Sequence, residues 1–184
     1  IGDARFTDMA GDGMVNVGGI SATGIDLGSV KVPGDLGFID AGDGVPATPA
    51  IKSLNVASMG VEGFATGASD LRSDIDGTLV RAKIAGDLKH AYIFVFDSTV
   101  DQGGSSGAGA AIIKSISIGG SLIGGDGISS GRVEARDKTT KITIREDIVG
   151  GGGIPAGSIG ATDDLGNVTV GGSVMGGEGL SSGE

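Results

Sequence analysis

The sequence predicts an all-β fold: a right-handed parallel β-solenoid with about 24–26 residues per coil and little or no α-helix. Three observations lead there. Residues 116–184 repeat every 26 residues without a gap. Each repeat alternates apolar and polar residues with the period of a strand buried on one face. Glycine supplies 39 of 184 residues while 39% of the chain is still hydrophobic. A disordered glycine-rich chain lacks branched apolar residues, whereas this one has both the material of a core and the residues of tight bends.

The earliest apolar stretch is Val15-Asn-Val17-Gly-Gly-Ile20. A β-branched or aliphatic pair followed by a small-residue bend and another apolar residue returns at Val30-Lys-Val32, Leu54-Asn-Val56 and Ala82-Lys-Ile84. From Ile116 the pattern becomes regular. Ile116, Ile142 and Val168 coincide, as do Ile118, Ile144 and Val170, then Leu122, Ile148 and Val174. Ile128, Ile154 and Leu180 make a further aliphatic column, and Val133 matches Ile159. Glycines match at 124, 150 and 176, and at 127, 153 and 179. The second members of the pairs stand at 32, 56, 84, 118, 144 and 170, giving steps of 24, 28, 34, 26 and 26. Val17 lies only 15 before Val32, a step too short for the pattern. One domain over 1–184 is expected, irregular over 1–111 and regular over 112–184, with roughly seven coils. A single coil cannot bury its own apolar face, so stacking must supply the core.

The longer steps carry extra residues at Asp40–Ala50, Phe64–Ile75 and Val100–Ala111. They are expected at one phase of the repeat, projecting from one side. Neither end of the sequence reads as a cap. The last residues, Leu180–Glu184, align with Ile154–Ser158, so Ile1-Gly2 resumes the repeat where Glu184 leaves it. Head-to-tail stacking is therefore expected through an edge comprising Ile1, Gly2, Val15, Val17, Val168, Val170, Val174 and Leu180.

The acidic residues are 18 Asp and 5 Glu, which favours turns over helices, and the net charge is −10. That balance argues against nucleic acid, which needs clustered Lys and Arg, and against anionic lipid. There is no Cys, so thiolate metal sites, disulfides and Cys nucleophiles are excluded. No run of eighteen apolar residues occurs, so a membrane-spanning helix is not expected.

Chemistry is sparse. The single His, His90, precedes Tyr92, Phe94 and Phe96, which share one strand face as a core or loop-covered aromatic stack. The serines of the Ser129-Ser130 and Ser181-Ser182 turns have no GxSxG context, and Gly150–Gly153 has no Lys-Ser/Thr behind it for a phosphate loop. The segment from Gly124 starts like a calcium-binding nonapeptide but puts Ser129 where the ligand Asp belongs. No catalytic or cofactor-binding residue is expected. Asp40, Asp43, Asp74 and Asp76 are weak calcium candidates, because oxygen donors gathered in loops suit that ion.

The motifs IKSISIGGSLIGGDGISSG and NVTVGGSVMGGEGLSSG resemble the glycine-rich β-helix repeats of large bacterial surface proteins, among them autotransporter or haemagglutinin-like passengers and planctomycete-type repeat proteins. The resemblance implies export, an extracellular or cell-surface location, and a role in adhesion or envelope structure. It transfers no catalytic residue. The expected function is that of a non-enzymatic structural subunit associating head to tail with itself. An adhesin segment binding glycan or matrix through loops 40–50, 64–75 and 100–111 is the alternative, and a polysaccharide-active enzyme working through acidic groups such as Asp74 is a second.

Overall fold

The computed structural model describes residues 13–99 and 111–184. Among them the strands in chain order are β1 (Val17–Thr23), β2 (Leu27–Gly42), β3 (Ile51–Met59), β4 (Arg72–Asp76), β5 (Ala82–Ile84), β6 (Leu88–Lys89), β7 (Tyr92–Phe96), β8 (Ile112–Ile113), β9 (Ile116–Ile118), β10 (Leu122–Ile123), β11 (Ser130–Ala135), β12 (Lys138–Ile144), β13 (Ile148–Val149), β14 (Ala156–Ala161), β15 (Asp164–Val170) and β16 (Val174–Met175). One turn of 3-10 helix at Gly63–Thr66 is the only helix of the described residues.

Every strand pairing among the described residues is parallel, and the strands belong to one curled sheet. The chain visits three ladders in turn, and each pass lies against the one before. The first ladder runs from β1 through the end of β2 to β4, β7, β11 and β14. The second runs from the start of β2 through β3, β5, β9, β12 and β15. In it Val32, Val56, Ile84, Ile118, Ile144 and Val170 are successive partners, the column read from the sequence. The third ladder places Leu36, Met59, Leu88, Leu122, Ile148 and Val174 in line.

The core lies inside the curl. Leu36, Ile39, Ile51, Leu54, Met59, Leu88, Ile93, Ile118, Leu122 and Ile144 are among the fully buried side chains. Alternation explains the choice. Within each short strand one set of side chains points inward and stacks on its equivalents in neighbouring passes. Each fully buried Ile or Leu contributes roughly 1.5–3 kcal/mol by leaving water.

The structure corrects three expectations. Val17 pairs with Leu36, in the third ladder, not with the Val32 column. The short step of fifteen residues is thus a difference of phase, and Val15 lies outside the strand and exposed. Val15 and Val17, named with Val168 and Val170 in the expected edge, therefore do not share the columns of that pair. Next, the column Ile128, Ile154 and Leu180 faces solvent, with Ile128 87% exposed. These residues sit in bends where the chain bows outward. Finally, the insertions do not share one phase. Residues 43–50 join the first ladder to the second, whereas 60–71 join the third to the first. Most of the third insertion, like Ile1 and Gly2, lies outside the described residues.

Candidate functional site

The bends between the third and first ladders differ sharply in length. Twelve residues (60–71) separate β3 from β4, and six (124–129) separate β10 from β11. Between those two passes, β6 reaches β7 through His90 and Ala91 alone. A short bend flanked by long ones leaves a notch, here a cavity of about 440 Å³. Phe64, Asp70 and Leu71 line it from the long bend, Asp126 to Ser129 from the other and His90 from the short one, with Arg72, Tyr92 and Ser130 at the starts of β4, β7 and β11.

His90 reverses the chain with a φ of 60°, in the left-handed region that non-glycine residues seldom occupy. Its backbone N–H donates to the Ile123 carbonyl at 2.9 Å, which anchors the bend to the next pass. A Cβ at Gly125 would stand 2.7 Å from the imidazole Cδ2, so glycine there leaves room for the ring. Partial burial, then the charge of Lys89, lower the His90 pKa below its ordinary value, against the opposing pull of Asp126.

Beside the notch the outer face of the first ladder carries an ordered polar–aromatic array. Ile93 and Val95 take the inward positions of β7, which turns Tyr92, Phe94 and Phe96 outward. The three rings form a stack with centroids 5.6 and 5.5 Å apart. The rings do not stand open. The guanidinium of Arg72 lies 4.9 Å from the Phe94 centroid and 5.4 Å from that of Tyr92, with Arg132 and Arg136 placed similarly. Tyr92 and Phe94 are consequently only 9% and 8% exposed. Arg72 pairs with Asp74 at 2.7 Å and Arg132 with Glu134 at 3.1 Å. The Tyr92 hydroxyl donates to Glu134. Burial, then that hydrogen bond and the Glu134 charge, push the phenol pKa well above its usual value.

The four calcium candidates are not gathered. Asp40 and Asp74 occupy neighbouring passes, where the Asp74 N–H donates to Asp40 Oδ1 at 3.0 Å. Burial, then the charges of Asp74 and Asp70, outweigh that hydrogen bond and Arg72, so the Asp40 pKa is raised. Asp43 Oδ1 accepts from the Val45 N–H within its own bend, and Asp76 accepts from the Ser98 N–H and hydroxyl. Among the described residues no three Asp, Glu or His side chains converge as a metal-holding group.

A second feature escaped the sequence reading. At the bend between the second and third ladders, successive passes carry Asn16, Asp35, Ser58, Asp87, Ser121, Asp147 and Ser173. Five of these side chains accept from the next pass. Asn16 Oδ1 takes the Asp35 N–H, Asp35 Oδ1 the Ser58 hydroxyl, Asp87 Oδ1 the Ser121 N–H, Ser121 Oγ the Asp147 N–H and Asp147 Oδ1 the Ser173 N–H. From Asp35 onward Asp and Ser alternate along the chain, a regularity present in the sequence but invisible until the passes are registered. The column leads to β15 and β16, where Val168 and Val174 are exposed although their column mates Ile142 and Ile148 are buried.

Comparison with known protein families, with curated proteins and with solved structures gives no match.

Proposed function

We propose that the chain is a structural, non-enzymatic surface protein: a right-handed parallel β-helix whose stacked passes continue from one copy into the next. The carrying observation is the exposed strand edge of β15 and β16. Val174, 55% exposed, occupies a column whose members Leu36, Met59, Leu88, Leu122 and Ile148 are buried. Unpaired parallel strands with apolar side chains are a template for another strand. The resemblance of the repeats to those of exported bacterial surface proteins supports the same reading and an extracellular location.

A second copy would continue the register with Val17 standing over Val174 in the third ladder, the column to which both already belong. Such a contact is heterologous and does not close, so it grows fibres. The experiment is electron microscopy and light scattering of the purified chain beside the double variant Val168→Lys, Val174→Lys. Fibres from the parent and monomers from the variant are expected. Monomeric parent at every concentration, or fibres unaffected by the variant, would overturn the proposal.

A further inference from the structure

We propose that the notch above His90 is a carbohydrate site that takes a neutral pyranose ring. The inference rests on the notch alone and stands apart from fibre growth at β15 and β16.

The notch has the two surfaces a sugar needs. Phe64 is 66% exposed and Ile128 87% exposed, and both line the same concave space. Isolated apolar side chains on a surface need no explanation. A phenyl ring and a sec-butyl group on the two flanking walls of one cavity, with Leu71 and Tyr92 beside them, make an apolar slot. A pyranose presents apolar C–H faces and a hydroxyl rim, so its faces suit such a slot. The cavity's 440 Å³ falls in the lower part of the range of small-molecule sites.

The polar groups are those that hydroxyls use. The side chains of Asp126 and His90 make no hydrogen bond among the described residues, and both line the notch. Asp126 offers a carboxylate that accepts from neighbouring hydroxyls, bonds strengthened by its charge. A neutral imidazole offers one donor and one acceptor. Asp70 has Oδ1 engaged by the Arg72 N–H and presents its remaining acceptor capacity to the same space.

Charge narrows the ligand. Arg72 is the cation of the lining, and it is already committed to Asp74 and to the faces of Phe94 and Tyr92. The uncommitted charges are therefore carboxylates, which repel a uronic or sialic acid. A neutral hexose fits and an acidic one does not.

The test uses the full chain with Val168→Lys and Val174→Lys, so that self-association and sugar binding are read separately. The probes are the methyl glycosides of glucose, galactose, mannose and N-acetylglucosamine, with methyl glucuronoside as the acidic counterpart. Saturation-transfer NMR is expected to show at least one neutral glycoside bound with a Kd on the order of 1 mM. Phe64→Ala and Asp126→Ala, both at exposed bends, are each expected to weaken binding by about tenfold or more while leaving the far-UV circular dichroism unchanged. Glucuronoside is expected to bind more weakly than its neutral partner. No transfer from any neutral glycoside at tens of millimolar (~50 mM), preference for the glucuronoside, or binding indifferent to both substitutions would each overturn the proposal.

Discussion

Two isoleucines set ten residues apart test the architecture most directly. Ile118 and Ile128 both stand in aliphatic columns of period 26, and Ile→Ala removes the same three carbons from each. Ile118 is fully buried between Ile84 and Ile144, whereas Ile128 is on the outside of a bend. Removing three buried carbons costs about 2.4 kcal/mol in transfer energy, and the cavity left between two stacked isoleucines raises the total to about 3–4 kcal/mol. For a chain of this size that corresponds to a fall of about 6–16 °C in melting temperature. Ile128→Ala should stay within about 0.5 kcal/mol, under about 2 °C. Thermal unfolding followed by far-UV circular dichroism reads both. Equal losses, or a larger loss at Ile128, would mean that the bend column faces the core, and the assigned register would be wrong.

Other outcomes follow from local geometry. A Cβ at Gly153 would stand 2.0 Å from the Gly127 carbonyl oxygen, while one at Gly127 meets nothing closer than 3.8 Å; in urea melts Gly153→Ala should lower the unfolding free energy by more than about 1 kcal/mol and Gly127→Ala by less. Asp137 is buried with Oδ2 unpartnered and beside Asp163, and burial followed by that charge raises its pKa. Its ionised form is therefore less favoured folded than unfolded, so stability falls as pH rises from the ordinary Asp pKa through the raised one. Asp137→Asn should stabilise the protein at pH 7, and the gain should vanish in acid; urea melts at the two pH values check this, and a loss at pH 7 would count against it. Tyr92 is the only tyrosine, so an ultraviolet titration reports it alone. Ionisation should be absent near pH 10 and appear in Glu134→Gln at lower pH than in the parent.

Much of the second ladder was legible in the sequence. Its column from Val32 to Val170 could be followed through steps of unequal length because β-branched pairs before a small-residue bend mark a strand that must turn. The bends were less readable. Ile128, Ile154 and Leu180 recur as faithfully as Ile118, Ile144 and Val170, and periodicity alone does not say which column faces inward. Val17 looked like the second member of a pair because Val-Asn-Val resembles Val-Lys-Val; only pairing with Leu36 reveals its phase. The aromatic residues of β7 were placed on one face correctly, but Ile93 and Val95 claim the core and send them outward, Tyr92 and Phe94 under arginines. The notch was hidden because it depends on a difference between neighbouring bends. The shortness of His90-Ala91 has meaning only once 60–71 and 124–129 lie on either side.

The acceptor column from Asn16 to Ser173 also gives the molecule a mechanical direction. Except between Ser58 and Asp87, each pass from Asn16 to Asp147 offers a side-chain acceptor to its successor. Pulling on the β16 side should therefore strip passes singly, each release breaking one bend contact together with one rung of every ladder. A force trace from that side should show a sawtooth of nearly equal steps over the regular repeats, then uneven ones where the bends lengthen. Over the regular repeats the stub left after each step still presents an acceptor, so a stripped pass can return to the place it left.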